Sequence, residues 1–369
     1  MTNAEKKYKK IIIAFGTRPE AIKMCPLIIE LRKRNVNVVV CTTGQHKELL
    51  DEVMRCFDIA VDYDLEIMKD AQTLTHVNTE ILNRFTDVLE CEQPDTVVVH
   101  GDTTTAFSVS LACFYCGRSV CHVEAGLRTG NIRSPFPEEF NRRAISLIAD
   151  AHFAPTRTAA ENLLNEGIRA SKIYVTGNTV IDALGSTVRE EYNHPFLEKY
   201  KDKRIIFFTA QRRENHGKGL ERIFEVIKKT VERYEDICVI FPVHPNPAVR
   251  ASAQRIFGEC ERVELCQPLG VVDCHNLMSR SYMVVTDSGG IQEEGVALGR
   301  PVLIVRDTTE RPEGILCGGA CLAGTDPEQI FVTISRVLDD KKTYKRMCSA
   351  TNPYGDGTAS SKIADILEK

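Results

Sequence analysis

Short β-branched apolar runs alternate along the chain with longer stretches whose apolar residues recur at helical spacing. The first run, KIIIAF at residues 10–15, meets a glycine turn and passes straight into RPEAIKMCPLIIELRKR. That opening predicts a strand, a tight turn and an amphipathic helix. Further strands are predicted in NVVVCTTGQH (37–46), DTVVVHGD (95–102), SVCHVEAG (119–126), AHFAPT (151–156) and IYVTGN (173–178), with helical stretches between them and LACFYCG closing one of these. Strands that alternate with helices in this way build βαβ units on a parallel sheet.

A polar, charged, proline-containing segment, EEYNHPFLEKYKDK at 190–203, reads as a linker. A second series follows it: RIIFFTAQ (204–211), ICVIFPVH (237–244), VELCQPL (263–269), SYMVVTDSGG (281–290), PVLIVRD (301–307) and a short CLAGT (321–325). The expectation is α/β, with an N-terminal Rossmann-like domain over 1–188 and a C-terminal one over 204–357. The closing amphipathic stretch, about 358–369, is a candidate to pack back on the first domain. A length of 369 residues agrees with two domains at about 150 residues each. Two such domains facing one another would bring the C-terminal ends of both sheets to a central cleft, where open α/β sheets bind ligands.

Composition narrows the class. Apolar residues make up 43% and charged residues 27% of the chain, as in an ordinary globular protein. A net charge of -4 gives no electrostatic basis for binding nucleic acid or an anionic membrane. The N-terminal apolar run is too short for a signal peptide, and none approaches the roughly 18 residues of a membrane helix. The fourteen cysteines include Cys41, Cys113, Cys121 and Cys238 at positions where a small hydrophobe would serve, which favours a reducing cytoplasm. Cys113 and Cys116 form one CxxC with no second pair or nearby histidine, so no metal site is expected.

The chemistry gathers at predicted strand ends. Asp102 follows one very apolar strand, Glu124 follows the next, and Glu138 lies in the proline-rich SPFPEEFNRR leading into a helix. Three carboxylates so placed suit acid/base work; for Asp102 the alternative is capping of the next helix. In GTRPEAIK, Arg18 and Lys23 stand near a helix N-terminus, an anion-binding environment, unless Arg18 pairs locally and Lys23 is solvated. TDSGGIQEEG offers Ser288, Gly289 and Gly290 at the start of another helix to hold a diphosphate, with Glu294 beyond to accept ribose hydroxyls. Arg212 or Arg213 could neutralise that diphosphate, and His244 is fixed among prolines at a strand end.

Taken in order, GTRPEAIKMCPLI, TGQH, HGDTTT, HVEAGLRT, PFPEEFNRR, VTGNTVID, RREN, FPVHPNP, DSGGIQEE and RDTTERPE resemble the bacterial non-hydrolysing UDP-N-acetylglucosamine 2-epimerases, over about residues 10–326. The resemblance implies a GT-B-like fold and a homodimer that interconverts UDP-GlcNAc and UDP-ManNAc with no nicotinamide or metal cofactor. It also implies elimination of UDP to 2-acetamidoglucal, followed by re-addition after protonation from the opposite face. It makes Asp102, Glu124 and Glu138 the acid/base carboxylates, without assigning which is which, and Arg18 and Lys23 the charged pair beside them. It places Ser288, Gly289, Gly290 and Glu294 in the UDP pocket, with His244 and Arg212 or Arg213 lining the cleft. Gln72 and Arg142 or Arg143 are further sugar or phosphate contacts.

Two departures stand out. Gln211 occupies a position where the family usually carries a functional histidine, and an amide cannot carry a proton at neutral pH. Many members hold a second UDP-GlcNAc as an allosteric activator; Gln45 and His46 are present for it, but Glu48 and Ala71 replace a glutamine and an arginine. A hydrolysing relative that releases ManNAc and UDP, a GT-B glycosyltransferase and a silent nucleotide-sugar binder are the competing readings.

Overall fold

In the computed structural model the chain divides into two compact units. One comprises Met1–Ser186 and Tyr354–Lys369, the other Thr187–Pro353. The structure describes residues 8–44, 47–68, 72–210 and 217–369, the side chains of 47–49 excepted.

The strands of the first unit are β1 (Lys10–Phe15), β2 (Asn37–Thr42), β3 (Tyr63–Asp64), β4 (Thr96–His100), β5 (Ser119–Val123), β6 (Ala151–Ala154) and β7 (Ile173–Val175). They form a parallel sheet in the order β3-β2-β1-β4-β5-β6-β7. Both faces are covered, so β1 and β4 are apolar on both sides rather than alternating, with Ile11, Ile12, Ile13, Val97, Val98 and Val99 all buried. Strand order reverses between β1 and β4. The loops that leave these two strands are therefore residues 16–17 and 101–103, the position where a doubly wound sheet opens a crevice.

The final helix, Ala359–Leu367, belongs to this unit and is tied down at several points. Asp182 accepts its first backbone N–H groups, from Ala359 at 3.2 Å and Ser360 at 2.8 Å. Arg34 reaches Asp365 at 2.5 Å and Glu368 at 3.1 Å, and Asn178 N–H donates to the Tyr354 carbonyl at 2.7 Å.

The second unit repeats the plan with β8 (Arg204–Thr209), β9 (Ile237–Pro242), β10 (Val263–Cys266), β11 (Met283–Thr286), β12 (Val302–Ile304) and β13 (Ala320–Leu322). Its parallel order is β10-β9-β8-β11-β12-β13, with the reversal between β8 and β11. Phe208, Phe224, Phe241 and Phe257 pack edge-on or tilted in its core, Phe208 and Phe241 with centroids 4.6 Å apart.

Several expectations need correction. Residues 190–203 are not an open linker. They carry a short helix, Pro195–Lys199, and are pinned to the second unit by Tyr192 on Asp273 at 2.6 Å and by buried Tyr200 on Glu264 at 2.7 Å. Charge alone hid two tyrosines whose rings are anchored while their hydroxyls bond carboxylates. The strand in AHFAPT stops at Ala154, and the two-residue β3 was not expected at all.

Candidate active site

The first unit brings its acids together at strand ends. Glu124 follows β5 directly, with a backbone φ of 62°, a left-handed conformation few residues with a Cβ adopt. Its Oε2 meets buried Lys23 Nζ in a hydrogen-bonded ion pair, accepts from Asn178 Nδ2 at 3.0 Å, and lies 3.7 Å from His100 Nε2. Lys23 is only 4% exposed, so the solvated alternative fails. The helix Arg18–Lys33 carries Lys23 inward on the face that packs against the sheet, 101 residues away from its carboxylate partner.

Gly101 makes the turn after β4 at φ 65°, and a Cβ there would stand 3.6 Å from Glu124 Oε1, so the Asp102 loop runs directly beside this carboxylate. Buried His122 lies 2.7 Å from the Gly101 carbonyl through Nε2. Burial lowers the His122 pKa to about 3, so the ring is neutral and Nε2–H donates. Asp102 is not the helix cap: Thr103 holds that position and accepts from Ala106 N–H at 3.0 Å. Its Oδ2 instead pairs with buried Arg142 Nη2 at 2.6 Å, and its carbonyl accepts from Asn141 at 2.9 Å. Arg142 is thus the arginine joined to Asp102, while the more exposed Arg143 pairs with Glu139.

Glu138 is not in a loop but opens the helix Glu138–Ile148, and its Oε2 is buried without a hydrogen-bond partner among the described residues. The adjacent Glu139 is fully buried, accepting from Thr129 N–H at 3.0 Å and lying 3.4 Å from Arg142. Arg18 starts its helix beside the crevice loops. Gln72 donates to the Ile67 carbonyl at 2.6 Å, leaving a buried oxygen without a partner among the described residues.

A further carboxylate at the crevice lies within GTRPEAIK. Glu20, 2% exposed, accepts from Gly16 N–H at 3.1 Å, Thr17 N–H at 2.8 Å, Thr17 Oγ1 at 2.7 Å and Thr103 Oγ1 at 2.7 Å. Burial pushes its carboxyl up to about 7, while these bonds from Thr103, Thr17 and Gly16 pull the other way. The T-x-x-E spacing of a capping box was the available signal. His100 in HGDTTT and Asn178 in VTGNTVID carry no comparable sequence signal, yet both face Glu124 Oε2.

In the second unit, β8 and β11 are joined across the strand reversal by their terminal threonines, Thr209 Oγ1 to Thr286 Oγ1 at 2.6 Å. The loop from β11 leads into the helix Gly289–Ala297 with Ser288 at its N-cap and no side-chain cap, so its first N–H groups are available to an anion. A Cβ at Gly289 would fall 2.4 Å from Arg311 Nη1, so glycine there lets the guanidinium lie against the helix start. Arg311 is held by Glu293 at 2.7 Å and by Glu310, which also accepts from Arg306 at 3.0 Å. This buried ionic group from RDTTERPE was another residue set to which sequence reading attached no role. Glu294 is buried, with His275 Nε2 3.6 Å away and Thr187 Oγ1 2.6 Å from the other ring nitrogen. Gly290 completes the helix start, and His244, after β9, accepts from Asn246 N–H at 3.2 Å.

Gln45, His46, Ala71, Gln211, Arg212 and Arg213 lie outside the described residues, as does the side chain of Glu48. Among the described residues no group of three or more His, Cys, Asp or Glu is placed to hold a metal, and no helix is long and apolar enough to cross a membrane. Among the described residues no disulfide joins two cysteines, and burial raises the Cys238 and Cys266 thiols to about 12, far from a reactive thiolate.

Two Rossmann-like α/β units, each with ligand-competent loops at its strand reversal, define a protein of the GT-B-like class. The family described as UDP-N-acetylglucosamine 2-epimerase matches residues 29–368, and the chain belongs to it. The UDP-N-acetylglucosamine 2-epimerase of Bacillus subtilis is 51% identical over 362 residues, covering 98% of this chain and 95% of the relative. A Neisseria meningitidis UDP-GlcNAc 2-epimerase solved with UDP-GlcNAc bound superposes with a TM-score of 0.93 at 44% identity, covering 97% of this chain and 99% of that one. The S. aureus MnaA–UDP co-structure gives 0.94 at 46% identity, covering 97% and 96%.

Proposed function

We propose that this chain reversibly converts UDP-GlcNAc to UDP-ManNAc. Carbon 2 of the sugar bears an amide rather than a carbonyl, so direct removal of its proton is slow. Instead one carboxylate takes the C2 proton as the C1–O bond to UDP breaks, giving 2-acetamidoglucal and UDP. An acid on the opposite face then protonates C2 while a β-phosphate oxygen re-adds to C1. The route is redox-neutral and needs no nicotinamide. The observation that carries this reading is Glu124, a carboxylate in a left-handed backbone at a strand end, joined to Lys23 and Asn178 and beside the Asp102 turn. Asp102, Glu124 and Glu138 share the proton transfers, and Arg18, Lys23 and Arg142 balance charge around them. Gln72 contacts the sugar. Ser288, Gly289, Gly290, Arg212, Arg213 and His244 hold the departing diphosphate, Glu294 the ribose, and Gln211 makes a polar contact. Gln45 and His46 are the candidate contacts for a second, activating UDP-GlcNAc.

In the same reading the enzyme is a cytoplasmic homodimer supplying ManNAc units to envelope polysaccharide. Support for self-association comes from Phe114, Tyr115, Phe140 and Leu147, large apolar side chains left exposed on two neighbouring helices of the first unit. Light scattering that returns a monomer mass at micromolar concentration removes that part.

Product analysis tests the reaction. Incubation with UDP-GlcNAc should yield a mixture of the two UDP-sugars without net UDP. Free ManNAc with UDP would mean hydrolysis, acceptor-dependent UDP release would mean transfer, and binding without turnover would mean a silent binder. Supplying UDP-ManNAc alone, then with UDP-GlcNAc, reports on activation.

A further inference from the structure

We propose that Glu20 is a positioning residue that clamps the two crevice loops of the first unit together, so that Arg18 and Asp102 keep their places during the reaction; the inference rests on the epimerase reading. Its carboxylate joins the loop after β1 to the loop after β4 across 83 residues of sequence. Each loop is gripped immediately beside a proposed catalytic group: Thr17 precedes Arg18, and Thr103 follows Asp102. Capping its own helix requires only the Thr17 N–H. The bond from Gly16 tightens the same turn, and the bond from Thr103 goes beyond capping to connect the loop after β4.

Three donors from its own turn converge on Oε2, while Oε1 is turned to the Thr103 hydroxyl, so the two oxygens divide between the two loops. At 2% exposure Glu20 has no access to substrate itself, so its influence passes through the loops. Packing leaves them little slack. A Cβ on Gly16 would fall 2.2 Å from Thr43 Oγ1 and 2.3 Å from Thr105 Oγ1, so the first loop is wedged against the helix that follows the second. An amide at position 20 would offer one oxygen in place of two. Its NH2 would then face the Thr103 hydroxyl, which already accepts from Ala106.

The test compares full-length Glu20→Ala, Thr103→Val and Thr103→Ser with wild type, using UDP-GlcNAc well below each melting temperature and near-UV dichroism to confirm folding. Loop misplacement should lower kcat by about 10- to 100-fold in Glu20→Ala and Thr103→Val while KM and UDP affinity stay within about threefold. Thr103→Ser, which keeps the hydroxyl, should return kcat to within about threefold of wild type, and the Ala/Val double variant should be no worse than the poorer single one. Asp326→Ala controls for the loss of a helix cap, since it removes one from the second unit and should lower melting temperature without lowering kcat. If Glu20→Ala does not fold, the Thr103 pair decides. Wild-type kcat in the folded clamp variants, a loss confined to KM, or equal losses in Thr103→Ser and Thr103→Val overturn the clamp. A wild-type chain that turns over no UDP-GlcNAc instead contradicts the epimerase reading and removes the clamp with it.

Discussion

Acid should destabilise this protein through two histidines side by side within the first sheet. His122 on β5 is in register with His152 on β6, and each Nδ1 is buried without a hydrogen-bond partner among the described residues. Burial, aided by nearby cations, lowers His122 from 6.5 to about 3 and His152 from 6.5 to about 4. Both folded values lie below the unfolded one, so the unfolded chain binds protons first as pH falls below 6.5, and stability present above that pH is lost progressively down to about 3. Between about pH 7 and about pH 5 each ring accounts for about 2 kcal/mol of lost stability, or about 4 kcal/mol together. Urea midpoints at the two pH values and constant ionic strength measure the loss. Glu20, whose buried carboxyl is raised to about 7, takes up its proton in the folded chain over the same range and opposes the loss, so the diagnostic is a difference between proteins. His122→Gln keeps an N–H for the Gly101 carbonyl but cannot titrate, and should recover about half of the histidine contribution. A variant that loses as much stability as wild type over this range refutes the reasoning.

Lys23→Met leaves Glu124 buried without its cation and should destabilise the fold by about 3 kcal/mol while lowering kcat at least about 100-fold; denaturant melts and initial rates measure both. Gly289→Ala places a methyl against the Arg311 guanidinium and should weaken UDP binding at least about tenfold by calorimetry, at a stability cost of about 1–3 kcal/mol. Arg34→Ala frees the last helix from its partly exposed ion pairs, and a loss of about 1 kcal/mol is expected, with kcat unchanged.

The alternation of apolar runs with helical stretches was legible because parallel strands covered on both faces cannot hide their hydrophobicity. Their order in the sheet was not legible, since nothing in KIIIAF says that β1 lies between β2 and β4. The acids were visible because each ends a strand, but the pairing of Lys23 with Glu124 spans 101 residues and depends on that order. Glu20 looked like part of a helix start because its bond to Thr103 exists only once two distant loops meet. Tyr192 and Tyr200 were lost among charges, although their hydroxyl contacts fix the segment that reads as a linker.

The central claim is that the proton on carbon 2 leaves and returns through carboxylates of the first unit. Incubating the full-length protein with UDP-GlcNAc in deuterated water and following C2 by NMR tests it most directly. The account predicts deuterium at C2 of both UDP-GlcNAc and UDP-ManNAc, with exchange sharply reduced in Asp102→Asn and Glu124→Gln. Epimerisation without deuterium incorporation, or exchange that is indifferent to both substitutions, would contradict it.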